Sequence, residues 1–214
     1  MVNKIDTQFS KNINSAEVLP VMEHFYTIQG EGFNSGKPSY FVRLAGCDVG
    51  CVWCDVKESW DATKHPIMSL NDILNFCKNA TSKNIVITGG EPCMYDLTFL
   101  CQTLKENEFK IWLETSGVHI IKGNFDWVCL SPKKFKNCLE ENYSKANELK
   151  VVIFNKSDFA WAETHAAKVN ASCKLYLQTE WDKRDLMTPL IVEYVKNNPK
   201  WQISVQTHKY MNIP

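Results

Sequence analysis

The sequence predicts an α/β fold with mostly parallel strands, and three observations carry that reading. Short apolar runs alternate with amphipathic stretches of about ten residues, the pattern of successive strand–helix units. The polar and glycine-containing clusters fall just after those runs, at 46–54, 89–92, 114–117, 131–133, 178–182 and 206–209. Loops at strand C-termini share one face in such folds, and sites are built there. The third observation is length: 214 residues fall short of the roughly 250 of a full eight-unit barrel. Together they predict a partial, incomplete TIM-like β/α barrel.

The elements follow in order. Residues 1–16 are polar and aperiodic and read as an N-terminal arm, leaving 17–214 as the barrel domain. Ser39–Leu44 (SYFVRL) reads as a strand, and Gly46–Lys64 is rich in turns and cysteine. Ser69 is placed to cap a helix, with Asp72 three residues on and Leu70, Ile73, Leu74 and Cys77 on one face. Asn84–Thr88 (NIVIT) is a buried strand ending in a glycine pair. Asp96 is placed to cap a helix through Leu104. Strands follow at Lys110–Glu114, Trp127–Leu130 and Glu148–Ile153, then a helix from about Asp158 to Val169 and a strand at Lys174–Gln178. Thr188-Pro189 predicts a helix start with proline at the first position, and that helix stops before Pro199. Trp201–Val205 is the last strand.

Composition narrows the function. The chain has 24 Lys+Arg against 24 Asp+Glu, a net charge of zero. That argues against binding a nucleic acid through bulk electrostatics. A 44% apolar share excludes wholesale disorder. No segment reaches the roughly 18–20 apolar residues of a membrane helix, and residues 1–15 lack the apolar core of a secretory signal. The expectation is a cytoplasmic protein with reduced thiols. Nine cysteines in that setting point to metal or redox chemistry where they cluster.

They cluster once, as C-x3-C-x2-C at Cys47, Cys51 and Cys54. A [4Fe–4S] cube normally takes one cysteine per iron, so three ligands leave one iron open to a small molecule. Alternatives stand beside this: a zinc site with Asp48, Asp55 or His65 as fourth ligand, inert buried thiols, or a redox pair that leaves Cys47 unexplained. The other six cysteines are scattered over predicted helix faces and strands, as small core hydrophobes are.

With Gly89-Gly90-Glu91-Pro92 following the next strand, this pattern resembles the radical S-adenosylmethionine superfamily. Further motifs narrow it: Phe25–Gly32 (FYTIQGEG), Val42–Cys47 (VRLAGC), Trp53–Asp55 (WCD), Glu114–Gly117 (ETSG), Ser131–Lys133 (SPK) and Gln206–Lys209 (QTHK). These are similar to the 7-carboxy-7-deazaguanine synthase family, and the resemblance runs from about Val21 to Pro214.

The resemblance implies that Cys47, Cys51 and Cys54 hold the cluster and that S-adenosylmethionine binds its open iron. It implies cofactor contacts at Gly90, Glu91, Glu114, Ser131, Pro132, Lys133, Gln178, Thr179, Glu180 and Trp181. Substrate contacts fall at Ile28, Gln29, Gly30, Glu31, Arg43, Thr88, His208 and Pro214. The residues themselves allow blander readings: a strand-to-helix turn for Gly89–Pro92, a solvated Glu114, a plain turn at Ser131–Lys133, a hairpin turn around Glu31, a paired Arg43 and a free tail. The chemistry nevertheless suits the roles. A guanidinium clamps a carboxylate in bidentate fashion, and the Gln29–Gly32 segment, read as a flexible loop, offers an amide and a carboxylate for the edge of a pterin.

The implied reaction turns 6-carboxy-5,6,7,8-tetrahydropterin into 7-carboxy-7-deazaguanine, by hydrogen abstraction, ring contraction and loss of ammonia, for 7-deazapurine (queuosine) biosynthesis. The resemblance further implies an electron donor of flavodoxin or ferredoxin type and a homodimer. One departure is Val56, where the family often has a threonine that helps bind Mg²⁺; valine has no oxygen and cannot ligate a hard cation. Two other functions remain open at this point: a radical activase of a glycyl-radical protein, and a zinc-stabilised binding module.

Overall fold

The computed structural model describes residues 17–214; the arm assigned to 1–16 lies outside them. Nine strands form one sheet: β1 (Val18–Ile28), β2 (Pro38–Leu44), β3 (Ile67–Ser69), β4 (Asn84–Gly89), β5 (Lys110–Thr115), β6 (Trp127–Leu130), β7 (Glu148–Ile153), β8 (Lys174–Thr179) and β9 (Trp201–Ser204). Their spatial order is β3-β1-β2-β4-β5-β6-β7-β8-β9. From β2 through β9 every pairing is parallel; β1 adds an antiparallel edge against β2 and β3. The sheet does not close, as the chain length requires.

Helices α1 (Leu70–Lys78), α2 (Thr98–Glu106), α3 (Ser157–Ala166) and α4 (Arg184–Asn197) follow β3, β4, β7 and β8, and α5 (Thr207–Met211) follows β9. Ser69 caps α1 as expected, accepting from the Asp72 amide at 3.2 Å. Asp96 accepts from Thr98 N at 3.0 Å and starts α2. The expected start at Thr188-Pro189 is corrected: α4 begins at Arg184, with Pro189 inside it. The cap lies upstream, where the Glu180 carboxylate accepts the amides of Asp182 and Lys183 and opens a 3-10 turn leading into the helix. The carbonyl that Pro189 leaves without a donor is that of Asp185, whose side chain is exposed, so water can satisfy it.

Period-2 alternation divides each strand between two faces. Outward residues such as Leu44, Ile85, Ile87, Ile111 and Leu113 are fully buried, and with α1 and α2 they form one half of the core. Leu149, Val151, Ile153 and Leu177 form the other half with α3 and α4. Each such side chain contributes roughly 1.5–3 kcal/mol by burial. The opposite face carries Phe41, Arg43, Thr88, Glu114, Lys150, Val152 and Gln178, and these look into a cavity.

Candidate active site

The cavity holds about 550 Å³ and opens where the parallel strands end, a volume typical of small-molecule sites. The cysteine loop follows β2 directly. Gly46 stands at φ 98°, a conformation glycine takes without steric cost, and its amide donates to the Ser59 carbonyl at 2.6 Å. Cys47, Cys51 and Cys54 all line the cavity, with Val49 and Val118 packed against Cys51. Burial pushes the Cys51 thiol up to about 11, and the nearby Lys133 ammonium pulls the other way.

Three thiols on one short loop beside a cation are a donor set suited to an iron–sulfur cluster, in which each thiolate meets its own iron. A closed zinc site fits poorly. Asp48 is held by His119 and Lys136, Asp55 by Lys209, and the His65 ring donates to Glu58 O. Among the described residues no three metal-ligating side chains converge on a single ion.

The Gly89–Pro92 turn is laced to the cysteine loop. Gly90 N donates to Leu44 O at 3.0 Å and Glu91 N to Gly46 O at 2.8 Å. A Cβ at Gly90 would run into the Gly46 carbonyl and Cys47, so close approach requires glycine there. The Glu91 carboxylate points away into the fold. It accepts from Cys93 N at 3.0 Å, Thr115 Oγ1 at 2.5 Å, Ser116 N at 2.8 Å and the Ser116 hydroxyl.

The floor is a charge cluster. The Lys150 ammonium, on β7, donates to Glu31 Oε2 at 2.5 Å and Glu114 Oε2 at 3.0 Å. Gln29 Nε2 donates to Glu114 Oε1 at 3.3 Å, and Gln206 Nε2 to Glu31 Oε1 at 3.0 Å. Burial works against the Glu31 charge, but Lys150, helped by Gln206 and His208, outweighs it and holds the carboxyl down at about 2. Burial likewise opposes the Lys150 charge, yet the carboxylates around it keep its pKa well above the ordinary lysine range. The Gln29–Gly32 segment is therefore not the flexible loop expected. Gly32 N donates to Ser204 Oγ at 2.9 Å, Phe33 N to Glu148 Oε2 at 3.1 Å, and Thr207 N to Gly30 O at 2.9 Å. Buried partners from β7 and β9 pin it.

The remaining expected residues take these places. Arg43 and Thr88 are ladder partners and both line the cavity; Arg43 Nε donates to Glu23 Oε1 at 2.6 Å. Ile28, Ser131, Lys133, Gln178, Thr179, Glu180, Trp181 and Val56 are on the wall. Lys133 donates to Ser131 Oγ at 2.5 Å, and Gln178 Oε1 accepts from Ser204 at 2.6 Å. His208 and Pro214 also line the cavity, and the Pro214 carbonyl accepts from Thr27 Oγ1 at 3.3 Å, so the tail folds over the pocket. Pro132 is buried and is not among the lining residues. Sequence reasoning missed Lys150, and gave no role to Gln206 or Lys209.

Known proteins resemble this chain. Residues 42–142 match the model of the Radical SAM superfamily. A 7-carboxy-7-deazaguanine synthase of Flavobacterium psychrophilum is 55% identical over 94% of this chain and 96% of its own length. The chain belongs to the 7-carboxy-7-deazaguanine synthase family. The Synechocystis enzyme of that name is 44% identical over 91% of this chain and 93% of its own. The crystal structure of QueE from Escherichia coli is similar at 30% identity and a TM-score of 0.81, covering 96% of this chain and 99% of that one. The radical SAM family carries a [4Fe–4S] cluster and S-adenosylmethionine, which the thiol loop and cavity fit.

Proposed function

We propose that this chain converts 6-carboxy-5,6,7,8-tetrahydropterin to 7-carboxy-7-deazaguanine with loss of ammonia. One observation carries the reading: the thiol loop, the Gly89–Gly90 turn and the Gln29–Glu31–Arg43 group all face one cavity. When bound, the cluster and S-adenosylmethionine would supply one-electron hydrogen-abstraction chemistry at the pterin. The protein does the rest. Cys47, Cys51 and Cys54 hold the cluster. The main chain at Gly90–Glu91, with Glu114, Ser131, Lys133 and Gln178–Trp181, orients the nucleoside and methionyl groups. Arg43 clamps the pterin carboxylate, while Gln29, Glu31, Thr88 and His208 read the ring. The Pro214 tail narrows the mouth and excludes water.

Anaerobic reconstitution, followed by reductant, S-adenosylmethionine and the carboxytetrahydropterin, is the test. Formation of 7-carboxy-7-deazaguanine is expected; 5′-deoxyadenosine without that product would point to the activase reading. We further propose weak or no dependence on Mg²⁺, because the Val56 side chain lines the cavity without an oxygen and the Val56 carbonyl is taken by Ser59. EDTA should leave turnover largely intact, and collapse reversed by Mg²⁺ would refute this. The natural reductant is of flavodoxin or ferredoxin type and the assembly a homodimer, both on the support of the family resemblance, and the setting is the cytoplasm, on the support of the sequence reading. Iron-free protein with stoichiometric zinc would overturn the whole reading.

A further inference from the structure

Lys150 is a lysine buried in the middle of a strand, and nothing in the proposed chemistry requires its side chain. A buried ammonium is costly unless paired and hydrogen-bonded. Here two partners come from separate parts of the chain: Glu31 after β1 at 2.5 Å and Glu114 at the end of β5 at 3.0 Å. Those are one residue expected at the pterin and one expected at the cofactor. Lys150 is thus the common counter-charge of two recognition groups. Without it, two carboxylates would face each other across the cavity floor, and one would take up a proton.

We propose that Lys150 is a positioning residue, whose ammonium fixes the Glu31 and Glu114 carboxylates side by side as paired hydrogen-bond acceptors for the pterin and the nucleoside. This rests on the function proposed above. A carboxylate accepts only, whereas a carboxylic acid also donates, so the charge state of the pair decides which ring edge the floor can read. The other groups facing the cluster are Glu148 and Cys129 around Lys150, and Lys133 and His208 toward Glu31. Glu148 is itself engaged by Trp127 Nε1 at 2.9 Å and Phe33 N, so it is no free substitute partner for Lys150.

The test uses the reconstituted holoenzyme without reductant, so that binding is read apart from turnover. Dissociation constants for the carboxytetrahydropterin are measured by calorimetry from pH 5 to 8 in the wild type, Lys150→Met and Lys150→Arg. Methionine keeps the length and removes the charge. The wild type should bind with little dependence on Glu31 ionisation, because that group stays charged throughout the range. Lys150→Met should bind at least about tenfold more weakly at pH 7, by the scale of a broken buried pair, with a new titration between pH 5 and 8. Lys150→Arg should recover most of the affinity and lose the titration.

Carboxyl carbon resonances of ¹³C-labelled glutamate provide a readout free of ligand: one glutamate should titrate in Lys150→Met and not in the wild type. Parallel pH profiles in all three proteins, with unchanged carboxyl titration, would overturn the proposal. Should Lys150→Met fail to fold, Lys150→Arg and wild type still decide it, since a titration absent from wild type but present in the arginine variant contradicts charge as the cause. Failure of the wild type to bind the pterin at all would instead count against the proposed function.

Discussion

Glu91→Gln tests how the Gly89–Pro92 turn is held. The carboxylate is 1% exposed and receives a backbone N–H on each oxygen: Cys93 on Oε1 and Ser116 on Oε2. The hydroxyls of Thr115 and Ser116 add one donor to each side. An amide is nearly isosteric, but its NH2 must face one of the two N–H groups. The hydroxyls can rotate to accept; a backbone amide cannot. The substitution therefore loses one charge-assisted hydrogen bond, about 1.5–3 kcal/mol, and strands a buried donor at about 1–3 kcal/mol. A cost of about 3–4 kcal/mol corresponds to a fall of about 6–16 °C in Tm for a domain of this size. Circular dichroism melts of the cluster-free protein measure it without interference from the metal site. A shift within about 2 °C of wild type would show that the carboxylate network does not hold the turn.

Three further outcomes are expected. Cys51→Ala should lose bound iron and activity on reconstitution. Cys101→Ala, in the α2 core at 1% exposure, should keep both at a stability cost of about 1 kcal/mol; equal iron loss would contradict this division of the thiols. Arg43→Lys retains charge but lacks the planar fork, so pterin affinity should fall about tenfold while iron content holds; unchanged affinity would remove Arg43 from the carboxylate site. His165, depressed to about 4 by burial and then by Lys168, accepts from the Tyr143 hydroxyl at 2.6 Å. Only the unfolded chain takes up its proton between about pH 6.5 and 4, so stability should decline across that window as pH falls. After discount for its partial exposure the loss is about 1–2 kcal/mol. Urea midpoints for wild type and His165→Gln over that range should diverge, and superimposable curves would be the contrary result.

Much of this was legible in the sequence, for stated reasons. β4 through β9 announce themselves as short apolar runs, and the C-x3-C-x2-C spacing fixes the thiol loop without reference to any fold. β1 was not delimited, because Pro20, Glu23 and His24 interrupt its apolar pattern. β3 is too short to carry a period. The start of α4 was misplaced because proline preference for a first turn is a tendency, and a glutamate cap eight residues upstream of Thr188 outweighed it. Lys150 escaped notice for a more general reason. Glu148-Leu-Lys150-Val alternates as a strand does when its polar face meets water, yet both charged residues are buried. In a partial barrel the polar face looks inward, and alternation alone cannot tell a wet surface from a cavity floor.

The open sheet has one more consequence. β1 and β9 lie near opposite edges of it, yet the segment after β1 touches the end of β9 and the segment after it through Gly32 to Ser204, Thr207 to Gly30 and Gln206 to Glu31. The molecule is a split ring fastened by a clasp rather than sealed by a ladder. Unfastening it breaks at least five hydrogen bonds, each worth about 0.5–3 kcal/mol net, and leaves every parallel pairing intact. What brings the two ends of the sheet together is thus loop and side-chain hydrogen bonding rather than strand pairing.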